Sequence, residues 1–407
     1  MPERTARRAV AFSNIGHFQA HMFMLLYPTI VLVLEPQFNL PYGELLPLAL
    51  PGFILFGAGA LPAGWLGDRW SESGMLAAMF FGLGASALLA GLAPSPLWIG
   101  VGLAGIGLSG SIYHPVGVSM IVRVAERRGR ALGFNGVFGS LGVASAGILA
   151  GGLSDAFGWR AAFLVPGALA LATGALYVAL GAGRGPNAAA PPRRQAAPEF
   201  SRRDLVGSFL VLGVATAGSG LIFNATSVAL PKVFAQRMDV LGGATLSVGG
   251  LVSLVYLFGG GAQLLGGYLS DRFSLRRLYL LSYVLQAPLL VLAALLSHVP
   301  LLAAVVGMVV LQLAAVPVES SLYARYSAAR WQGTAFGAKF VISLGVSALA
   351  VPLVAVIHER TGAFFWLFAI LGGLAVVVAC AALLLPREDP AAPRLGATRE
   401  AAPAAGG

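Results

Sequence analysis

Apolar runs of about 20 residues or more recur from one end of this chain to the other, and as helices each can cross roughly 30 Å of hydrocarbon. There are six, then a break, then six more. The spans read 10–34, 44–67, 74–93, 97–123, 130–154 and 160–183, then 205–235, 243–270, 275–297, 300–325, 332–357 and 363–386. The pattern predicts an all-α membrane protein of twelve transmembrane helices in two six-helix bundles, residues 1–183 and 205–386. Between them, 184–204 is rich in Pro, Ala and Arg (Pro186, Pro191, Pro192, Arg193, Arg194, Pro198) and lacks the apolar content to fold or span, so it reads as a flexible cytoplasmic linker. Residues 387–407 are expected to form a disordered cytoplasmic tail.

The second bundle repeats the first. Gly64-Trp-Leu-Gly-Asp68-Arg69 and Gly267-Tyr-Leu-Ser-Asp271-Arg272 place one Gly-x-x-x-Asp-Arg pattern 203 residues apart in a chain of 407. Pro28 and Pro231 keep the same offset, as do Ser140-Leu-Gly142-Val and Ser343-Leu-Gly345-Val. Parallel repeats related about the membrane normal are a transporter plan, with the substrate path between the halves.

Composition agrees with a lipid solvent: 57% of residues are hydrophobic and 10% charged, far from the usage of soluble domains. With the N-terminus inside, the inner segments collect 21 of the 26 Lys and Arg residues and the outer loops hold four, Arg160, Lys232, Arg237 and Arg360. The remaining one, Lys339, is left over inside a helix. The positive-inside rule therefore puts both termini in the cytoplasm of a multi-pass protein of the cytoplasmic membrane. The net charge of +10 is spread over short loops, so nucleic acid is not expected as a partner. A single cysteine, Cys380, allows no internal disulfide. The first span is longer than a signal-peptide core and is expected to be retained. The 54 glycines suit close helix packing, as in Gly147-x-x-x-Gly151. They lack the context of a phosphate loop, and no Gly-x-Ser-x-Gly or His-Glu-x-x-His motif is present, so neither ATP drive nor an enzyme is expected.

The duplicated signature, the six-plus-six plan and the central linker resemble the major facilitator superfamily over essentially the whole chain. The family pattern runs Gly-x-x-x-Asp-Arg-x-Gly-Arg-Arg. Here Gly64, Asp68 and Arg69 match, and Ser71-Glu72-Ser73 replaces the final Gly-Arg-Arg. The second copy keeps Gly267, Asp271 and Arg272, followed by Arg276 and Arg277. Glu126-Arg-Arg-Gly-Arg130-Ala is similar to the family's partner loop between helices four and five. The resemblance implies a gate in which Asp68 caps helix eleven near Trp331 to Gly333 and Asp271 caps helix five near Gly129 to Ala131, with Arg69, Glu126 and Arg130 completing an ion-pair network. Solvated loop charge is the plainer account. Gly16-His17-Phe18, Tyr113-His114-Pro115 and Arg128-Gly-Arg130-Ala-Leu-Gly133 most resemble exporters of the fosmidomycin-resistance type. His21 stands where those relatives tend to have an acidic residue, and Gly147-Ile148 where drug antiporters tend to have Gly-Pro.

Polar residues inside apolar runs are costly in lipid and normally face a cavity or a partner. Asn14, His17 and His21 fall at i, i+3 and i+7, one helical stripe facing the central path. His17 and His21 have the spacing of a metal-binding pair and His114 could supply a third ligand. Without an acidic companion in that half, no metal is assigned, and proton or substrate contact or simple packing remain. Glu319 on helix ten and Lys339 on helix eleven flank their connection symmetrically, so equal rise on antiparallel neighbours brings them to one depth and allows an ion pair. His114 and Asn135 flank the helix four to five connection in the same way, and Asn224 is the repeat counterpart of His21. Gln263, Gln286 and Gln312 add hydrogen bonds or bridge helices.

These readings give a secondary transporter working by alternating access as a monomer, without a bound cofactor and driven by a proton gradient. The expected substrate is a small organic anion, because Lys339 and three histidines outweigh Glu319 in the membrane core. The alternative is proton-driven efflux of a drug or toxic compound.

Overall fold

The computed structural model describes residues 3–124, 128–182, 202–238, 244–327 and 332–386. Within them the chain is helical, with no strand. Without water, backbone N–H and C=O groups must pair inside the segment, which favours continuous helices. The first half carries α1 (Glu3–Phe38), α2 (Tyr42–Ala58 with Ala60–Arg69), α3 (Glu72–Gly91), α4 (Pro96–Val124), α5 (Arg128–Phe157) and α6 (Ala161–Ala179). The second carries α7 (Arg202–Arg237), α8 (Thr245–Ser270), α9 (Leu275–Leu295), α10 (His298–Tyr326), α11 (Gln332–Thr361) and α12 (Phe365–Leu383). Among the described residues, eleven helices are long and apolar enough to span a membrane, and the bent α2, taken as one span, makes the twelfth.

The two segments of α2 meet at 42°. Pro62 has no N–H for the carbonyl four residues back, that of Ala58, and its ring crowds that carbonyl. The break falls there, at Gly59, between Ala58 and Ala60. The linker expected at 184–204 lies outside the described residues up to 201, and α7 is already helical from Arg202. The tail expected at 387–407 also lies outside them.

The same packing recurs in each half: the first helix against the fifth, the second against the fourth, the third against the fourth and sixth. Between halves, α5 packs on α8, α2 on α11 and α1 on α7. Small residues set the α5–α8 distance. A Cβ added to Gly147 would come 2.6 Å from the Gly249 carbonyl oxygen, and one on Gly151 would collide with the Thr245 carbonyl. The expected Gly147-x-x-x-Gly151 contact is thus the seam between bundles. Ser140 Oγ to Gln263 Oε1 at 2.7 Å and Ile148 N to Ser253 Oγ at 2.9 Å add hydrogen bonds along it. Large apolar side chains such as Leu61, Leu97, Leu169 and Leu210 are exposed on the outside, as a lipid-facing surface requires.

The halves are tied firmly at the end that carries the α1–α2 and α11–α12 turns. Lys232 of α7 lies 2.6 and 2.7 Å from the two carboxylate oxygens of Glu35 on α1. Tyr42 packs edge-on to His358 with centroids 4.9 Å apart, and Gln236 bonds His358 at 3.0 Å. The opposite end carries Asp68 and Asp271. There the second segment of α2, Ala60–Arg69, packs on α3 and α4 of its own half.

Candidate functional site

In the first half the site is built around a widened turn of α4. Pro115 cannot donate to the carbonyl of Ser111, and residues Tyr113–Gly117 form a π-helical turn. Such bulges re-aim side chains and are common at functional sites. This one turns His114 toward the α1 stripe. His17 and His21 have ring centroids 4.9 Å apart, and His114 lies 5.5 Å from the first and 5.4 Å from the second. Tyr113 stacks on His17 at 4.6 Å.

Asn135 of α5 binds this group together. Its amide nitrogen donates to Asn14 Oδ1 at 2.9 Å and contacts Tyr113 Oη at 2.6 Å, and its backbone carbonyl accepts from His17 Nδ1 at 2.8 Å. The sequence singled out each of these residues except Tyr113's ring as a partner; the structure makes them one buried network across α1, α4 and α5. Asn224 is not part of it, and donates to the Gly220 carbonyl of its own helix at 2.8 Å.

In the second half, Glu319 and Lys339 do meet. Lys339 Nζ lies 3.2 Å from Glu319 Oε1 and donates to Ser320 Oγ at 2.8 Å. The other oxygen of Glu319 accepts from Tyr279 Oη at 2.7 Å and Ser219 Oγ at 3.1 Å. All three partners, Tyr279, Ser219 and Ser320, were missed from sequence, because a hydroxyl in a helix carries no mark of which neighbouring helix it faces. Behind them, Gln312 donates to the Ser219 carbonyl at 3.0 Å, and Gln286 donates to Gln312 Oε1 at 2.7 Å. These two glutamines bridge α7, α9 and α10.

One aromatic ring joins the two halves of the site. Phe340, next to Lys339, stacks on His114 with centroids 5.0 Å apart and planes 27° from parallel. The histidine group of one bundle and the ion pair of the other are therefore neighbours across the interface.

At the signature end, Gly64 lets α2 approach α4: a Cβ there would sit 3.2 Å from Pro115. Its counterpart Gly267 faces Pro317 in the same way at 4.0 Å. Arg69 folds back over the Trp65 ring at 4.3 Å, and Arg272 over Tyr268 at 4.0 Å. Trp65 and Tyr268 also differ by 203, so the repeat extends to this stack. Asp68 and Asp271 are exposed, and no hydrogen bond or ion pair of theirs occurs among the described residues. Glu126 lies outside the described residues, as does the Arg130 side chain. Where the family pattern's Gly-Arg-Arg is replaced, the buried Glu72 pairs with Arg123 and accepts from Ser119. Sequence reading did not anticipate this tie between α3 and α4.

A family model described as Major Facilitator Superfamily matches residues 15–338, and matches again over 212–406. A Multidrug resistance protein B homolog of Mycobacterium tuberculosis is 29% identical over 168 residues, a stretch covering 40% of this chain and 30% of that protein. Among solved structures, a bacterial homologue of the human lysosomal transporter Spinster, inward-facing and occupied, superposes with a TM-score of 0.73 at 15% identity, over 95% of both chains. A POT family transporter in complex with a thioalcohol-conjugated peptide gives a TM-score of 0.73 at 13% identity, over 93% of this chain and 96% of the other. The repeated helical plan, the duplicated signature and the family match over most of its length lead to one conclusion: the chain belongs to the Major Facilitator Superfamily, and is a multi-pass membrane protein.

Proposed function

We propose that this chain moves a small organic anion across the cytoplasmic membrane by alternating access, coupled to protons through Glu319 and Lys339. The observation that carries the reading is the buried pair itself, 3.2 Å apart, set beside Phe340 where the two bundles meet. In a medium of low dielectric the pair is tolerated because it is neutral as a whole. A proton delivered to Glu319 leaves Lys339 without its counter-charge, and an anionic substrate restores neutrality. Tyr279 and Ser219 hold the carboxylate in both situations. Proton and anion then travel as a matched set, because either alone leaves an unpaired charge that costs several kcal/mol.

The Glu35 and Lys232 end is joined in this state, so the opposite end is the one from which substrate would enter. The excess of arginine there supports a cytoplasmic location. Gly64, Asp68, Arg69, Glu126 and Arg130, with Gly267, Asp271 and Arg272, form the gate at that end, and it assembles in the alternate state. The chain works as a monomer and needs no resident cofactor.

The first measurement is a thermal-shift screen of purified protein against carboxylates, phosphonates, sugars and drugs, because a ligand that binds only the folded form raises its apparent stability. Reconstituted in vesicles, Glu319→Gln is then expected to lose proton-driven transport of the hit while retaining counterflow, and Lys339→Ala to lose anion binding. Wild-type rates in both variants would make the pair a structural one.

Proton-driven efflux of a toxic compound is the second reading. It is supported by the partial match to the Multidrug resistance protein B homolog and by the likeness of the α1 and α4 motifs to fosmidomycin-resistance exporters. Uptake into inside-out vesicles under an imposed proton gradient, absent from right-side-out ones, would favour it.

A further inference from the structure

We infer that His17, His21 and His114 form a binding site for a divalent transition metal of the zinc, cobalt and nickel class. One ring nitrogen from each lies within 4.8 Å of the others. Nitrogen ligands about 2.0–2.1 Å from a tetrahedral metal sit roughly 3.4 Å apart, so small rotamer changes close the set.

Three further features fit a metal. His17 Nδ1 faces the Asn135 carbonyl at 2.8 Å. A carbonyl only accepts, so Nδ1 carries the proton and Nε2 keeps its lone pair, the arrangement found behind metal-bound histidines. His114, 9% exposed, has a buried Nε2 without a hydrogen-bond partner. An orphaned buried polar atom costs about 1–3 kcal/mol, which a metal bond would recover. Finally, α5 has glycine beside the His17 ring: a Cβ on Gly139 would come 2.6 Å from His17 Nε2. That glycine gives the ring the room it occupies.

The donor chemistry sets the class of ion. Three neutral imidazoles suit zinc, nickel, cobalt and copper, and offer nothing to magnesium or calcium, which take oxygen ligands. Three protein ligands leave a fourth position. With no carboxylate in the cluster, hydroxide or another anion there would offset part of the charge. The three ligands come from α1 and α4 of the first half, and Phe340 of α11 stacks on the His114 ring from the other bundle.

The test uses the full chain purified in detergent through a histidine-free tag and stripped with chelator. Cobalt(II) titration is expected to give the visible bands of a low-symmetry site, saturating at one ion per chain, with a rise in melting temperature that magnesium does not produce. His21→Asn and His114→Asn should each weaken binding at least tenfold, while His298→Asn, at an exposed histidine of α10, leaves it unchanged. Gly139→Ala keeps all three ligands and should weaken binding by crowding His17. Size-exclusion profiles and metal-free melting curves confirm that each variant is folded, and any variant that is not is replaced by the Gln form at the same position. No cobalt bands at millimolar metal, or bands that persist in both His21→Asn and His114→Asn, would overturn the site. Neither result bears on anion transport, whose test is separate.

Discussion

Replacing Lys232 with Met should release the end of the molecule at which the two bundles are joined. Lys232 keeps 15% and Glu35 23% of its side-chain exposure. An exposed ion pair contributes about 0–1 kcal/mol, and removing one partner of a fully buried pair costs about 3–5 kcal/mol. With both oxygens of Glu35 engaged at 2.6 and 2.7 Å but water still reaching the pair, the loss is placed at about 1–2 kcal/mol, a change in the ratio of joined to parted states of about 5- to 30-fold. The Lys232 ammonium also lies 5.4 Å from the Tyr42 ring, so a small cation–π contribution goes with it.

Distance measurements between spin labels can read this change directly. Glu44 at the start of α2 and Arg360 near the end of α11 are both exposed and flank the contact between Gly43 and Glu359. With Cys380 replaced by Ser, cysteines at 44 and 360 carry the labels. In the parent the short distance should dominate; in Lys232→Met and in Glu35→Gln a longer one should gain population by the factor above. Since the two side chains act on each other, the double variant should exceed neither single by more than a few tenths of a kcal/mol. Unchanged distance distributions in both singles, or fully additive effects, would refute the latch.

Two further variants probe the gate and the seam. Asp68→Asn should slow the transport cycle with little effect on substrate affinity, measured as turnover against binding in the same preparation; a pure binding defect would contradict a gating role. Gly249→Ala would push a methyl into the Gly147 carbonyl and should lower stability by about 1–3 kcal/mol through overpacking. Gly250→Ala next to it meets no atom within 4 Å and should leave the melting temperature unchanged or raise it, because Ala favours a helix interior over Gly, so equal losses at the two positions would count against the seam.

Much of the architecture could be read from the chain because membrane spans announce themselves by length, and the offset of 203 residues ties six of them to the other six. Glu319 and Lys339 were legible for a related reason: a charge inside an apolar run has a high cost, and two helices joined by a short connection leave few places for its partner. Glu35 and Lys232 carried no such signal. They lie near the ends of their spans, where a charge reads as an ordinary loop residue, and Lys232 was counted among the loop charges. Glu72 and Arg123 escaped notice likewise, at helix ends beside a signature loop whose departure from the family pattern marked only an absence. Tyr279, Ser219 and Phe340 were hidden by degeneracy, since hydroxyls and aromatic rings are common in such helices and spacing along one helix does not say which neighbour it faces.

The repeat divides mechanics from chemistry. Features that keep the offset are helix contacts: the glycine that faces a proline of the fourth helix, at Gly64 and Gly267, and the arginine folded over an aromatic ring, at Arg69 and Arg272. Features that break it are the polar residues proposed to bind. His21 answers to Asn224, which turns back on its own helix, and Lys339 answers to Gly136. Two bundles with the same helix contacts but different side chains at the centre present an asymmetric interior, imidazoles on one side and an ion pair on the other. Phe340 is where those faces touch. In the proposed alternating-access cycle a change of bundle angle would slide His114 along that ring, so a ligand held by the histidines or by Lys339 would act on the same conformational equilibrium.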